Sequence, residues 1–374
     1  MDIFNLAEIL KEEPNYRIKQ IQKALFVDLI DDWTNASTLP LNLREKLNKK
    51  CPLLINGQSF ESSDKSTVKT VITLKATCQL PVVAAGFSLR KTTQPKGCGY
   101  QFPAITDSSS LKDNIQIESV LMKSRDGRNT VCVSSQAGCT LNCSFCATGQ
   151  SGFKRNLEVF EIIEQALFFA RLLKKENEKI TNIVFMGMGE PFLNYDNVLN
   201  AIKILNDKDG FNLGARHFSV STVGIPEGIK KFSGENLQAN MAISLHAPSD
   251  DLRSKIIPIN KKYPIKEIIS RVDEYIKKTN RRVMFEYIMI KDLNDSDECA
   301  KKLAKLMKKP LYFVNLISYN PTGKTFQSSK GERIKKFKEI LEKEGITVTQ
   351  RYRFGEGLNA ACGQLVCRNG NIEK

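Results

Sequence analysis

Strand-like and helix-like segments alternate regularly from about residue 116 onward, and this alternation restricts the possible folds more than any other feature. Runs rich in β-branched residues, such as Thr130–Ser135 and Val283–Ile290, each precede a segment with helical periodicity. Six such strand–helix units can be traced, and a last extended segment spans about 346–353. This order predicts an α/β fold with parallel strands and helical crossovers. Because a closed barrel has eight units, we expect a partial (β/α)6 TIM-like barrel that stays open.

The N-terminal part of the chain lacks this order. We expect a small accessory domain over residues 1–115, followed by the core over residues 116–374. Pro14–Trp33 carries apolar residues at helical spacing, whereas Thr67–Leu74 and Leu80–Leu89 resemble strands. Two interpretations of this domain remain open: a helical cap that packs on the core, and an appendage that binds RNA.

The charge and the cysteine content bound the class of protein. The formal net charge is +15, which is compatible with a polyanionic partner such as nucleic acid and equally with a merely basic soluble surface. No apolar stretch is long enough to cross a membrane, and the N-terminus lacks an apolar signal core, so we expect a cytoplasmic protein without a membrane partner. In a reducing compartment, the ten cysteines are buried residues, metal ligands or reactive thiols rather than a disulfide scaffold.

Three of these cysteines form a CxxxCxxC loop: Cys139, Cys143 and Cys146, with Phe145 before the last one. Three thiolates at this spacing can ligate three irons of a [4Fe-4S] cubane and leave the fourth iron open to another ligand. A structural zinc ion would need a fourth ligand, for which Cys132 or Cys98 is available. A third interpretation is a loop of three buried structural cysteines.

Small or polar residues follow most of the predicted strands. Because the carboxyl ends of parallel strands form the active-site face, we expect these residues to share one rim. The glycines of the Met186–Pro191 segment would allow a ligand to approach the backbone closely. Alternatively, Glu190 is a solvated carboxylate and His246 is a core histidine. The rim candidates are Gly189, Glu190, Ser221, Ser244, Leu245, His246 and Asn320.

Six motifs in order along the chain closely resemble the RlmN/Cfr family of radical-SAM rRNA adenine methyltransferases. They are CVSSQAGCTLNCSFCATG, FMGMGEP, SLHAPSDDLR, PINKKYPI, YNP and NAACGQL. The resemblance implies a [4Fe-4S] cluster on the three loop cysteines and S-adenosylmethionine (SAM) as a second cofactor. It also implies that the same seven rim residues contact SAM.

The resemblance further implies a methyl carrier, with two SAM molecules used per turnover. One SAM methylates Cys362, and a radical from the second removes hydrogen from that methyl group. The carbon radical adds to an adenine carbon, which has no lone pair with which to accept a methyl group directly. Cys132 then forms a disulfide with Cys362 and releases the product. Glu118 matches the position of the family's proton acceptor.

The implied partners are 23S rRNA, with tRNA as an additional candidate, and an electron donor of the flavodoxin–reductase type. Methylation at adenine C2 is favoured over C8, because the C8 branch tends to lack the proline of GMGEP. The alternatives are a radical-SAM enzyme acting on a small molecule or protein, and a zinc-stabilised RNA-binding protein. We also expect a monomer. Candidate phosphate contacts are Lys335, Lys336, Lys338, Arg351 and Arg353.

Overall fold

A computed structural model describes most of the chain. The described residues are 6, 9–53, 56–74, 115–323, 325–351 and 358–365. Two compact units are present: residues 1–56 with 73–115, and residues 57–72 with 116–374. The predicted boundary after residue 115 coincides with one limit of these units, whereas residues 57–72 belong to the larger one. The strand predicted at Leu80–Leu89 lies outside the described residues, and the separate function of an N-terminal domain stays a prediction.

The smaller unit contains short helices, as predicted for this region. Its elements are α1 (Asn15–Phe26), a 3₁₀ turn (Trp33–Asn35) and α2 (Leu41–Lys50). The helical segment is shorter than Pro14–Trp33, because Leu29 adopts a left-handed backbone with φ of 53°. The indole of Trp33 is fully buried and donates a 2.8 Å hydrogen bond to the carbonyl oxygen of Cys51. The Trp33 indole is thus part of the core of the small unit.

The larger unit alternates strands and helices. Its strands are β1 (Asn56–Glu61), β2 (Thr67–Leu74), β3 (Ile115–Lys123), β4 (Asn129–Cys132), β5 (Gln136–Gly138), β6 (Phe153–Asn156), β7 (Asn182–Phe185), β8 (Phe218–Thr222), β9 (Asn240–Ser244), β10 (Val283–Met289), β11 (Tyr312–Ser318) and β12 (Val348–Arg351). Its helices are α3 (Ala147–Gln150), α4 (Val159–Lys174), α5 (Tyr195–Asn206), α6 (Pro226–Gly234), α7 (Asp250–Ile256), α8 (Ile265–Thr279), α9 (Asp297–Met307) and α10 (Gly331–Lys343). Short 3₁₀ turns occur at Pro191–Asn194, Ala215–His217 and Pro258–Lys261.

Ten strands form one sheet in the order β1-β2-β3-β4-β7-β8-β9-β10-β11-β12. All neighbouring pairs from β4 to β12 are parallel, and β3 is antiparallel to β4. Helices connect the parallel strands in each of the six crossovers. Because the strand order ends at β1 and β12, the sheet is open. The predicted partial (β/α)6 barrel is confirmed, and its last strand is the extended segment predicted near 346–353.

Local sequence signals explain where the crossover helices begin and end. α4 starts with a capping box, in which the side chains of Glu158 and Glu161 each accept a backbone N–H at the helix terminus. α8 ends at Asn280, which adopts the left-handed conformation with φ of 52°. The strands between these helices are mostly buried and apolar, as expected for a sheet covered on its faces. Their carboxyl ends therefore share one rim. Within the described residues, none of the helices combines the length and apolar character that a bilayer crossing requires.

Candidate active site

The cysteine loop lies between β5 and α3. Gly138 has φ of 80°, and a Cβ placed on it would lie 1.8 Å from the carbonyl oxygen of Gly152. Only glycine therefore allows β5 to approach β6 directly before Cys139, whose amide donates to that same oxygen at 3.0 Å. A tight turn then follows, in which the amide of Cys146 donates to the carbonyl oxygen of Cys143 at 3.0 Å. The backbone thus presents three thiols from one short, anchored loop.

Two contacts hold this loop against the rest of the rim. The amide of Ser144 donates to the carbonyl oxygen of Ile256, at the end of α7, over 3.0 Å. The Phe145 ring meets the His246 ring edge-on, with 5.0 Å between the ring centroids. The aromatic residue of the motif thus packs against a side chain from the turn after β9.

Two of the three loop thiols have raised pKa values. Burial raises the pKa of Cys139 to about 12, and the nearby Glu190 and Cys146 add to this shift. Burial also raises the pKa of Cys143 well above its usual value. Without metal the two thiols keep their protons, so iron has to displace protons when it binds.

The placement of these thiols does not suit a single metal ion. Within the described part of the chain, no three Cys, His, Asp or Glu side chains converge where one ion could be held. Structural zinc needs four ligands on one ion, whereas in a cubane each thiolate binds a different iron. Of the possible fourth zinc ligands, Cys132 lies at the end of β4, and Cys98 lies outside the described residues. The donor set fits a cubane cluster.

The glycines after β7 allow two chain segments to pack closely. A Cβ on Gly189 would lie 2.5 Å from Cβ of Gln136, and a Cβ on Gly187 would lie 2.7 Å from the carbonyl oxygen of Val133. Gly189 also has φ of 98°, which favours glycine. A side chain at either position would therefore collide with the neighbouring chain segment, and the approach of a ligand to this backbone stays a prediction.

The Glu190 carboxylate is buried, so the solvated alternative is wrong. One of its oxygens accepts the amide of Phe192 at 3.0 Å, and the other accepts the amide of Val223 at 2.8 Å. Burial raises the pKa of Glu190 to about 7, although these hydrogen bonds oppose the shift. The carboxylate ties the turn after β7 to the turn after β8 and lies near Cys139.

Ser221 and Ser244 meet around a carboxylate that the sequence analysis missed. Their hydroxyls donate to Oε2 of Glu286 over 2.7 Å and 3.3 Å. The other carboxylate oxygen, Oε1, is buried and has no hydrogen-bond partner among the described residues. A buried oxygen without a partner calls for a bound group that supplies one. This pocket fits a ligand that carries hydroxyl or ammonium donors, as SAM does.

Leu245 and His246 lie beside this carboxylate. Both of their amides donate to the backbone oxygen of Glu286 at 3.1 Å, and His246 has φ of 59°, a costly conformation for a bulky residue. Nδ1 of His246 accepts the amide of Ile288 at 3.1 Å, which leaves the proton on Nε2. Burial, reinforced by the Arg253 charge, lowers the pKa of His246 to about 3. The imidazole is thus a neutral hydrogen-bond donor. Leu245 is fully buried, and its contact with SAM stays a prediction.

Cys132 and Cys362 line one cavity, together with Asn320 and Arg351. Cys132 is the last residue of β4, where it pairs with Val120 of β3. Burial raises its pKa to about 12, and the nearby Cys362 adds to the shift. The wall around these groups is largely apolar, formed by Val120, Met122, Met186, Ile317, Ala360 and Leu365.

The segment that carries Cys362 is attached to the cluster loop. The amide of Ala147 donates to the carbonyl oxygen of Gly363 at 2.8 Å, and the Thr148 hydroxyl donates to that of Leu365 at 2.6 Å. Asn320 reaches the carbonyl oxygen of Cys362 at 3.5 Å, at the limit of a hydrogen bond. These contacts place Cys362 at the same rim as the three loop cysteines, although about 216 residues separate it from Cys146 in the sequence.

Glu118 lies on β3, two residues before Val120. Alternate strand residues share a face, so Glu118 is on the side of β3 that lines the cavity. Its carboxylate is buried and pairs with Nζ of Lys69, on β2, at 3.2 Å. The lysine side chain is also mostly buried, with 10% exposed. The sequence analysis did not single out Lys69, because one lysine in a strand-like run carries no signal by itself.

Comparisons with known proteins agree with this geometry. The model of the Radical SAM superfamily matches residues 133–307. A probable dual-specificity RNA methyltransferase RlmN from Dictyoglomus thermophilum is 39% identical over 367 residues, covering 97% of this chain and 94% of the relative. The protein of the same name from Carboxydothermus hydrogenoformans is 40% identical over 361 residues, covering 95% and 94%. The chain belongs to the RlmN family. The fold is also similar to the crystal structure of a radical SAM methyltransferase from Sphaerobacter thermophilus. The match covers 96% of each chain, with 38% sequence identity and a TM-score of 0.83.

Membership of the RlmN family, within the radical SAM superfamily, implies a [4Fe-4S] cluster and SAM. The loop thiols fit the cluster, and the orphaned oxygen of Glu286 fits SAM. The zinc-stabilised binding protein and the purely structural loop are therefore wrong interpretations. The two SAM molecules per turnover remain a prediction.

The predicted phosphate contacts divide into separate groups in this RlmN-family chain. Lys336 and Lys338, on α10, form surface ion pairs with Asp297 and Glu342. The contact of Arg351 with phosphate stays a prediction, although its side chain lines the cavity with the two cysteines. The alternation along β12 could have indicated this, because strand residues alternate between faces. Arg353 lies outside the described residues.

Proposed function

We propose that this chain methylates carbon 2 of an adenine in 23S rRNA, with tRNA as a second substrate. The observation that carries the proposal is the shared cavity of Cys132 and Cys362, attached to the loop of the three cluster cysteines. The names of the curated relatives support an RNA substrate. The net charge of +15 suits binding to phosphate.

A ring carbon of adenine has no lone pair, so it cannot displace a methyl group from a sulfonium. We assign the displacement to Cys362: its thiolate forms an S–CH3 bond, the methyl–sulfonium bond breaks, and S-adenosylhomocysteine leaves. When bound by the three loop cysteines and the rim, the cluster and a second SAM would supply the radical chemistry that activates this methyl group, and the oxidised cluster would be the acceptor for the electron that the ring adduct loses. The apolar cavity wall keeps water from the carbon that carries the unpaired electron.

Two further groups complete the reaction in this proposal. Glu118 accepts the proton that leaves the ring carbon, and the Lys69 ammonium keeps its carboxylate charged before that transfer. Cys132 then attacks the sulfur of Cys362, so that an S–S bond forms and the S–CH2 bond breaks. The electron pair of that bond stays on carbon, which takes a proton and becomes the new methyl group. An external reductant returns both cysteines to thiols.

The C2 position is favoured over C8 by the GMGEP turn. Pro191 is the first residue of the 3₁₀ turn that Glu190 caps, so this proline belongs to the structure that supports the rim. The C8 product is the alternative. The remaining parts of the proposal are the RNA target, the flavodoxin–reductase type of electron donor and a monomeric enzyme.

Nucleoside mass spectrometry tests the proposal. Anaerobically reconstituted enzyme, SAM and reductant are incubated with unmodified ribosomal and transfer RNA, and the product is expected to be 2-methyladenosine. Cys362→Ala should give no product, and Cys132→Ala should leave a covalent protein–RNA adduct. Cys299→Ala is the matched control, because Cys299 lies on α9 and outside the cavity. Methylated RNA at normal yield from the Cys132→Ala enzyme would remove Cys132 from the mechanism, and 8-methyladenosine would establish the alternative.

A further inference from the structure

A guanidinium lies in the cavity that the two cysteines share. Arg351 is the last residue of β12 and lines this cavity. Its Nη1 lies 3.5 Å from Sδ of Met186, and its Nη2 lies 3.9 Å from Sδ of Met122. A thioether sulfur is a weak, uncharged acceptor. Within the described residues, the guanidinium therefore has no ion-pair partner.

The carboxylates nearest the cavity have other partners. Glu286 acts electrostatically on Arg351 but forms no ion pair with it in the described ranges, and its Oε2 is held by the hydroxyls of Ser221 and Ser244. Glu118 is paired with a lysine of β2. The remaining groups in the cavity that can become anions are the sulfurs of Cys132 and Cys362.

A sulfur anion in this cavity needs a nearby cation. The surrounding wall is apolar, and moving a charge from water into such a place is costly. Burial raises the pKa of Cys132 to about 12, and the charge of Cys362 adds to this, whereas the charge of Arg351 opposes it. Arginine keeps its charge at every pH at which enzymes work, so its effect is permanent.

We propose that Arg351 is a positioning residue that stabilises the sulfur anions formed in the cavity. The proposal rests on the proposed function, in which Cys362 must lose its proton to solvent before it accepts a methyl group. Cys132 must also be a thiolate when it attacks the sulfur of Cys362. The same guanidinium serves both steps, since both sulfurs line the cavity that it lines.

Thiol alkylation tests the proposal without SAM or RNA. Reduced full-length protein is treated with iodoacetamide from about pH 6 to about pH 10, and the rates at Cys132 and Cys362 are read from peptide masses. Arg351→Gln should slow both rates about tenfold at neutral pH and move the pH profiles up by about one unit. Arg351→Lys keeps the charge and should restore most of the rate. Arg128→Gln is the control, because it removes a charge whose side chain is 63% exposed.

Several outcomes would overturn the proposal. In folded Arg351→Gln protein, rates within about twofold of wild type, or faster rates, would mean that Arg351 only fills space. A weaker affinity for RNA with unchanged thiol rates would make it a phosphate ligand. If Arg351→Gln does not fold, Arg351→Lys decides, since a tenfold loss there would show that charge is not the property that matters.

The two proposals fail in different ways. If the wild-type enzyme methylates RNA while thiol reactivity ignores Arg351, only the role of Arg351 is wrong. If the thiols respond to Arg351 but no methylated adenine forms, only the proposed function is wrong. Alkylation of Cys299, which lies outside the cavity, provides an internal reference in every sample.

Discussion

The amide of Ala147 donates a 2.8 Å hydrogen bond to the carbonyl oxygen of Gly363. Ala147 directly follows the last cysteine of the cluster loop, and Gly363 directly follows Cys362. The two motifs farthest apart in the core are thus joined by the residue after each. This bond helps to fix the position of Cys362, the proposed methyl acceptor, relative to the loop that we expect to hold the cluster.

Removing the second bond between these segments should slow the methylation of Cys362. In Thr148→Val, the donor of the 2.6 Å bond to the carbonyl oxygen of Leu365 is lost with little change in shape. A hydrogen bond contributes about 1 kcal/mol, so we expect a rate lower by roughly fivefold. The measurement is the gain in mass of the Cys362 peptide with time. Ser151→Ala is the control, because this hydroxyl bonds the carbonyl oxygen of Thr148 and not the Cys362 segment. Equal rates in all three proteins would contradict the prediction.

Burial of His246 should make the stability of the fold depend on pH. Because the folded-state pKa of His246 is lowered to about 3, only the unfolded chain takes up a proton at this site as pH falls below about 6.5. The free energy of unfolding should therefore fall by up to about 1.4 kcal/mol per pH unit at this site, and the stabilisation is fully present above pH 6.5. His246→Gln should remove this part of the slope in denaturant titrations. His217→Gln should keep it, since His217 is exposed. Parallel slopes in wild type and His246→Gln would refute the assignment.

Substitutions at Gly189 and Gly127 should distinguish the cost of backbone strain from the cost of steric overlap. Both have left-handed backbones, but a Cβ on Gly189 meets Gln136 at 2.5 Å, whereas one on Gly127 meets nothing within 4 Å. Gly127→Ala should cost about 1 kcal/mol through backbone strain alone. Gly189→Ala adds overpacking of about 1–3 kcal/mol. Chemical denaturation of the cofactor-free protein measures both values. A Gly189→Ala protein no less stable than Gly127→Ala would show that Gln136 moves aside freely.

The Lys69–Glu118 pair should behave as a buried ion pair. Lys69→Met removes the ammonium that pairs with this carboxylate, and breaking such a pair typically costs about 3–5 kcal/mol. The double variant Lys69→Met/Glu118→Gln has no buried charge left and should recover much of the loss. Denaturant titrations of the four proteins form a double-mutant cycle. Additive effects would mean that the two groups do not interact.

Periodic features were predictable from the sequence. β2 occupies the predicted residues Thr67–Leu74, and the strand–helix order of the core is confirmed. The cluster cysteines and the rim residues also share one rim as expected. These predictions succeeded because strand alternation and parallel topology are local rules that act at every residue.

Interactions between distant segments were not predictable. Glu286 reads as one acid in an apolar strand, and its hydroxyl partners come from two other strands. The glycines of GMGEP were expected to let a ligand approach, but their packing against the segment before the cysteine loop was not expected. Arg351 was expected on the surface because a charge usually is. In each case the deciding neighbour lies tens of residues away.

Four residues of the proposed methyl-transfer site lie outside the segment that matches the superfamily. That segment covers residues 133–307, so Glu118 and Cys132 precede it, and Arg351 and Cys362 follow it. Glu118 and Cys132 lie on the β3–β4 hairpin. Arg351 is the last residue of β12, and Cys362 follows it in the chain. In the proposed function, residues 133–307 hold the groups that generate the radical. The segments before and after them determine which reaction the radical carries out. Substitutions in these two flanking segments should then change the product while radical formation continues.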